Sequence, residues 1–280
     1  MMRLLLPALT LMALAAASAP AIAAAQSKEG TTMTQSAESR TTFTYDRGGI
    51  VRGSLDRKEI AIIFTGGEFA DGGTTILTEL KTRGIKGSFF FTGDFFRTKE
   101  FKPLIDRIRD EGHYLGPHSD AHPLYASWEN PPKLLIGREE FDKDLDSNME
   151  ILKNFGVSPE NALFFIPPYE HYTQEISDWT AARGMVLFNF TPGVRTNADY
   201  MEDDHPRYVT SEEMVKSVYA REESDPHGLN GYIILIHIGA SPKRTRDHLY
   251  NHMGGMIDEL ERRGYKFVRV DELLAGAVKN

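Results

Sequence analysis

The sequence predicts an α/β fold with parallel strands, and three observations carry that expectation. Short apolar runs alternate along the chain with stretches of helical periodicity, the rhythm of repeated βα units. From about Thr42 to the C-terminus, roughly 240 residues pass without a Pro/Gly/Ser break long enough to divide them, which suits one domain with a full core. The polar residues of chemical interest fall just after predicted strands. In a parallel βα architecture, closed barrel or open doubly wound sheet alike, such positions share one edge.

Taken in order, Ile60 to Phe64 is a β-branched run bounded by Thr65-Gly66-Gly67 and reads as a buried parallel strand. Thr74 to Arg83 follows as a helix, with Ile76, Leu77 and Leu80 on one face and Gly84 as its stop. Lys86 to Thr92 is a second strand and Phe101 to Glu111 a second helix, closed by Gly112. A short third strand over Gly112–Pro117 leads to His118. Arg138 to Phe155 is the longest helix, and Ala162 to Ile166 is a strand halted by Pro167-Pro168. Glu175–Arg183 reads as a helix, Met185–Phe190 as a strand, and Ser211 as the N-cap of another helix. Tyr232 to Ile236 is an unbroken apolar strand ending at His237, followed by a helix from about Asp247 to Arg263 and a strand at Lys266–Val270. No internal repeat goes beyond this rhythm.

The N-terminus reads as an export signal over residues 1–25. Arg3 precedes an apolar run from Leu4 to Ala17, and Ala23-Ala24-Ala25 before Gln26 suits cleavage. That run is shorter than the roughly 18–20 residues needed to span a bilayer, and no later segment is long enough. Residues 26–41, rich in Ser, Thr and Glu, read as a flexible linker ahead of a 42–280 domain. With no cysteine, neither a disulfide nor a lipid anchor on cysteine is available. The expected address is periplasmic or extracellular. A net charge of −8, about −9 once Arg3 is removed, argues against nucleic acid or an anionic membrane as the main partner and suits a neutral substrate. No protein partner is indicated.

His118 and His122 are the residues around which the chemistry is read. Two imidazoles four residues apart can face one way from a helical turn or a tight bend. Neutral imidazole is the commonest protein ligand for zinc-like ions, and a catalytic site needs two or three such ligands plus an open position. The same spacing also occurs on a solvated helix face. His113 and His205 have no supporting pattern and read as structural or exposed. Trp128, Tyr125 and Tyr172 could wall a sugar site or simply pack.

With His118-Ser119-Asp120-Ala121-His122, Pro167-Pro168-Tyr169 and Leu235-Ile236-His237 in hand, the chain resembles the polysaccharide deacetylase family over roughly residues 58 to 274. The order and spacing of four motif regions agree. The resemblance implies a distorted (β/α) barrel of about seven parallel strands in one domain and a divalent metal ion, zinc first with cobalt or nickel as alternatives. It implies that His118 and His122 are metal ligands, that the Tyr169 backbone N–H serves the oxyanion, and that His237 is the general acid.

The departures are as informative. The family's first motif, T-F-D-D-G, supplies a base and a metal-ligand carboxylate, and here reads Ile63-Phe64-Thr65-Gly66-Gly67. Its F-R-P-P-Y-G motif reads Phe165-Ile166-Pro167-Pro168-Tyr169-Glu170, so the Arg that orients the base is gone as well. Glu68 is the expected substitute, as ligand or base, and Asp71 on the same loop is the second choice for the base. Glu170, in place of a Gly, is expected beside the substrate or oxyanion. The function expected is an exported, metal-dependent hydrolase that removes N-acetyl or O-acetyl groups from an oligo- or polysaccharide. The rivals are a non-catalytic glycan-binding protein on a retired scaffold and a metal-dependent hydrolase of another amide or ester.

Overall fold

The computed structural model describes residues 43–278; the expected leader (1–25) and linker (26–41) lie outside them. An antiparallel hairpin opens the domain, β1 (Thr44–Asp46) and β2 (Gly49–Arg52). It was not anticipated, because β1 is exposed throughout and offers no apolar alternation to read. The βα units follow, with one short helix (α2) that the sequence reading does not include: β3 (Glu59–Gly66), α1 (Gly73–Thr82), β4 (Ser88–Phe91), α2 (Gly93–Arg97), α3 (Lys102–Asp110), β5 (Tyr114–Pro117) and α4 (Arg138–Asn154). The second half holds β6 (Phe164–Phe165), α5 (Gln174–Ala182), β7 (Val186–Leu187), α6 (Ser211–Ser224), β8 (Tyr232–His237), α7 (Met253–Arg262), β9 (Lys266–Phe267) and α8 (Val270–Leu273).

The strands from β3 to β9 pair in parallel. One sheet runs β5-β4-β3-β8 with β9 against the start of β3, and β6 pairs β7 separately. A side-chain bond and a backbone bond span the breaks between them. The Tyr114 hydroxyl accepts from the Phe164 N–H at 3.0 Å, and the Thr191 N–H donates to the Ile233 carbonyl at 2.9 Å. The result is the distorted barrel of parallel strands that the family resemblance implied.

Alternation along β3 explains the two layers of core. Ala61 and Ile63 point inward with Phe90, Phe188, Ile233 and Leu235, whereas Ile60, Ile62 and Phe64 face the helical layer with Leu77, Leu80 and Phe89. A strand buried on both faces needs a continuous apolar run, which β3 and β8 have. The same alternation turns Thr65 and His237, partners in the β3–β8 register, into the barrel mouth. Helix α6 is capped by Thr210 rather than by Ser211. Thr210 Oγ1 accepts from the Glu213 N–H, and Glu213 returns the bond to the Thr210 N–H, a reciprocal box that fixes the start one residue earlier. No helix among the described residues is long and apolar enough to cross a membrane.

Candidate active site

The strand ends open into a cleft of about 1280 Å³ lined by His118, His122, Tyr169, Glu170 and His237, with Trp128 and Glu68 among its other walls. The histidine loop is held from below by α4. The Asn148 side chain accepts from the His118 N–H at 3.0 Å, and Asp144 accepts from the Ala121 N–H at 2.8 Å and from the Tyr125 hydroxyl at 2.7 Å. Both are polar groups one turn apart on the buried face of the helix, where an apolar side chain would leave those donors unsatisfied. The loop itself is no helix. Ser119 and His122 have φ of 67° and 52°, and the Ser119 hydroxyl accepts from the His122 N–H at 2.9 Å.

His118 Nδ1 lies 2.9 Å from the Ile166 carbonyl, which can only accept, so the proton is on Nδ1 and the Nε2 lone pair is free. Burial and the neighbouring His122 hold this imidazole well below its ordinary range, opposed by the Ile166 bond. Burial and the like charge of His237 push His122 down to about 4. Both rings are therefore neutral at pH 7, with centroids 5.0 Å apart.

Opposite them, His237 ends β8. Its backbone N–H donates to Asp199 Oδ2 at 2.8 Å and its Nδ1–H to Asp199 Oδ1 at 2.6 Å. Burial disfavours the imidazolium, but the Asp199 charge and hydrogen bond, with Glu170 adding, outweigh it and raise the pKa. The loop bearing Asp199 is fixed by Arg244, itself buried, whose guanidinium donates to the Met201 and Val209 carbonyls at 3.0 and 3.1 Å and to Asp247.

The loop after β6 supplies the third wall. Tyr169 and Glu170 both adopt left-handed backbone, φ 57° and 52°, and the Tyr169 N–H donates to His122 Nε2 over a long 3.4 Å. The Asn189 side chain donates to the Glu170 carbonyl at 2.7 Å. The Glu170 carboxylate turns into the cleft, with Oε1 3.8 Å from His118 Nε2. Burial pushes it up to about 7, against the positive charge of His237. Trp128, 66% exposed, stacks on His171 at 4.4 Å and stands edge-on to Tyr169 at 6.3 Å.

Residues 52–187 match the family model described as polysaccharide deacetylase. That stretch is a polysaccharide deacetylase domain. A peptidoglycan-N-acetylglucosamine deacetylase of Bacillus cereus is 25% identical over 140 residues, 50% of this chain and 46% of the relative. The chain thus spans about half the length of that relative. The peptidoglycan-N-acetylmuramic acid deacetylase PdaA of Bacillus subtilis is 26% identical over 225 residues, 79% of this chain and 73% of the relative. Among solved structures, a CE4 family pseudoenzyme from Bacillus anthracis superimposes with a TM-score of 0.62 at 19% identity, covering 87% of this chain and 82% of that one. A mutant of that pseudoenzyme has restored enzymatic activity.

Against the family pattern, the first motif differs in shape as well as in charge. Thr65 Oγ1 is buried without a hydrogen-bond partner among the described residues and faces the cleft. A Cβ on Gly66 would lie 2.6 Å from Ile238 Cγ2, so apolar packing has closed the place of the second carboxylate. Glu68 lines the cleft and is exposed to solvent. Asp71 is placed otherwise than a base requires. It is not among the residues lining the cleft, and its carboxylate accepts from the Ala240 N–H and the Tyr250 hydroxyl, both at 2.9 Å, clamping the β3 and β8 loops together.

Tyr125 and Tyr172 are fully buried and bonded to Asp144 and the Asp46 carbonyl, so of the three aromatics only Trp128 faces the cleft. His205 lines the cleft and His113 sits in the core, the latter pushed down to about 4 by burial. Asp199, Asp144 and Asn148 were not singled out from sequence. The only signal would have been two polar residues on the inward face of a long helix.

The donor chemistry suits a divalent ion. His118 has the tautomer a ligand needs, with its other nitrogen anchored on a backbone carbonyl. Among the described residues no three His, Asp or Glu side chains are already gathered around one point. The imidazole pair, with Glu170 nearest to His118, is what the chain offers.

Proposed function

We propose that this protein is an exported, metal-dependent deacetylase that hydrolyses N-acetyl or O-acetyl groups of a glycan. Peptidoglycan is the first substrate to test, given the relatives' names. The observation that supports it best is the Asp199–His237 pair placed across one cleft from two neutral imidazoles. A glycan binder has no use for an imidazole whose pKa is raised by a buried carboxylate, whereas a hydrolase needs that proton for its leaving group.

His118 and His122 would hold the ion, zinc first with cobalt or nickel next, and when bound it supplies Lewis acidity and an acidified water. Glu68 takes the proton of the attacking water from the open side of the cleft. The Tyr169 N–H, only loosely engaged at 3.4 Å by His122, turns to the oxyanion. His237, held in the Nδ1–H form by Asp199, delivers a proton from Nε2 to the leaving sugar nitrogen or oxygen. Trp128 offers a face on which a sugar ring can stack.

The test is acetate release from N-acetyl-chitooligosaccharides, peptidoglycan fragments and acetylated xylan, as purified, after chelation, and after zinc, cobalt or nickel is restored. Release that disappears on chelation and returns with metal supports the reading; metal uptake with no acetate from any of the three counts against it. A second reading, a glycan-binding protein on a retired deacetylase scaffold, is favoured by the missing first-motif carboxylates and the closed space at Gly66. It predicts glycan affinity unchanged in Glu68→Ala and no turnover in either form.

A further inference from the structure

We propose that Glu170 is the third protein ligand of the metal centre, supplying from the loop after β6 the carboxylate that the β3 loop lacks. The inference rests on reading His118 and His122 as ligands. It begins with what the β3 loop cannot do. Thr65 carries no charge, and Gly66 has no room for a side chain, with Ile238 Cγ2 2.6 Å from where its Cβ would be. No ligand can come from the first motif without repacking the layer beneath it.

Glu170 has the opposite character. Its backbone is held left-handed at φ 52°, beside Tyr169 at 57°, a conformation that glycine enters freely and other residues only at a cost. The Asn189 amide bond to its carbonyl keeps it there. Its side chain is only 15% exposed, and among the described residues its carboxylate has no hydrogen bond and no Lys or Arg ion pair; the charge that reaches it is that of His237. What faces it is His118 Nε2 at 3.8 Å, and that nitrogen carries a lone pair because Nδ1 donates to the Ile166 carbonyl.

Two electron-rich atoms so placed gain nothing from one another. They gain from a shared cation: at the tetrahedral angle two donors each about 2.0–2.2 Å from one zinc ion stand about 3.3–3.6 Å apart, so this pair has only a few tenths of an ångström to close. Two imidazoles and a glutamate are also a known three-ligand set for catalytic zinc, one that keeps a coordination position open. A strained backbone and a largely buried carboxylate without a hydrogen-bond donor are both unfavourable in the metal-free protein, and the His237 charge offsets the second only in part. Both are accounted for if the loop is shaped to meet an ion.

The experiment measures zinc affinity by competition with a chromophoric chelator and the visible spectrum of the cobalt-loaded protein. It compares wild type, Glu170→Gln, Glu170→Gly, Glu68→Gln and His118→Ala, together with melting temperatures with and without zinc. The expected result is zinc affinity at least tenfold weaker in both Glu170 variants, an altered cobalt spectrum, and affinity within about twofold of wild type in Glu68→Gln. Glu170→Gly should also melt higher than wild type without metal, since the strain is relieved, yet gain less on adding zinc. If both Glu170 variants bind zinc as wild type does while His118→Ala does not, Glu170 is no ligand and the histidine centre stands. If wild type binds no better than His118→Ala, the centre itself fails and this inference with it.

Discussion

Replacing Asp199 by Asn changes one atom and should disable the acid side of the cleft. The carboxylate accepts two N–H groups of His237, the backbone N–H at 2.8 Å and Nδ1–H at 2.6 Å. An Asn side chain has one acceptor, so its NH₂ must face one of those donors. If the carbonyl keeps the backbone N–H, the imidazole has to give up its Nδ1 proton, and the imidazolium loses its buried counter-charge. A hydrogen bond to a charged group is worth about 1.5–3 kcal/mol, which is roughly ten- to hundredfold in the proton affinity of the ring. Positioned acid catalysis contributes about 10²–10⁴-fold, so kcat should fall within that range while zinc content is unchanged.

The first assay is an NMR titration of the His237 ring, which needs no turnover, followed by the pH profile of acetate release. In wild type the raised pKa keeps the acid protonated to higher pH; in Asp199→Asn protonation is lost at lower pH, and the alkaline limb of the profile moves down with it. The linked stability has the same sign. Protonated His237 stabilises the fold below the unfolded value of about 6.5, and that contribution fades as pH rises through the folded value, so the variant loses more stability at pH 5 than at pH 9. An Asp199→Asn protein whose His237 titration and acetate profile overlie those of wild type would refute this account.

Three further outcomes are expected. His113 accepts from the Gly87 N–H at 3.0 Å and is held neutral down to about 4, so unfolding takes up a proton between about 6.5 and 4 and about 3 kcal/mol drains away as pH falls across that window. His113→Asn keeps an acceptor for Gly87 and should flatten that slope in urea unfolding, while losing the ring contact with Phe89; an unchanged slope would point to other groups. Gly66→Asp overpacks against Ile238 and should cost about 1–3 kcal/mol in thermal unfolding, partly recovered by Ile238→Ala; wild-type stability would disprove the crowding. Asp71→Asn can keep the Ala240 bond and donate its own N–H to the Tyr250 oxygen, so it should cost no more than about 1 kcal/mol with zinc affinity intact, whereas weakened zinc binding would restore Asp71 to the centre.

What could be read from the sequence follows from how each part is stabilised. β3 and β8 are buried on both faces, so their apolar runs announced them, and Gly84, Gly112 and Gly156, all at positive φ, marked the turns after α1, α3 and α4. His118, His122 and His237 were visible because motif spacing survives in the chain even where the first motif does not. Asp199 was not, because it lies in a polar loop far from its partner in sequence and is defined only by the fold. Tyr125 and Tyr172 looked available for sugars, yet their rings complete the core while their hydroxyls find buried acceptors. Glu68 and Glu170 were equivalent as letters; only the backbone of the β6 loop separates an exposed carboxylate from one turned toward His118.

The β3–β8 ladder has a consequence for the order in which the site is lost. His237 is the last rung of an unbroken register that runs from Ile60–Tyr232 to Thr65–His237 through the most deeply buried strands, so the β8 ladder amides that lead to it should exchange only when the whole domain opens. The opposite bank rests on left-handed turns at Ser119, His122, Tyr169 and Glu170, outside any strand ladder and tied mainly by side-chain bonds from Asp144, Asn148 and Asn189. Warming should therefore free the imidazole pair while the acid is still in place. On the proposed reading of that pair, metal binding would be lost several degrees before the circular dichroism.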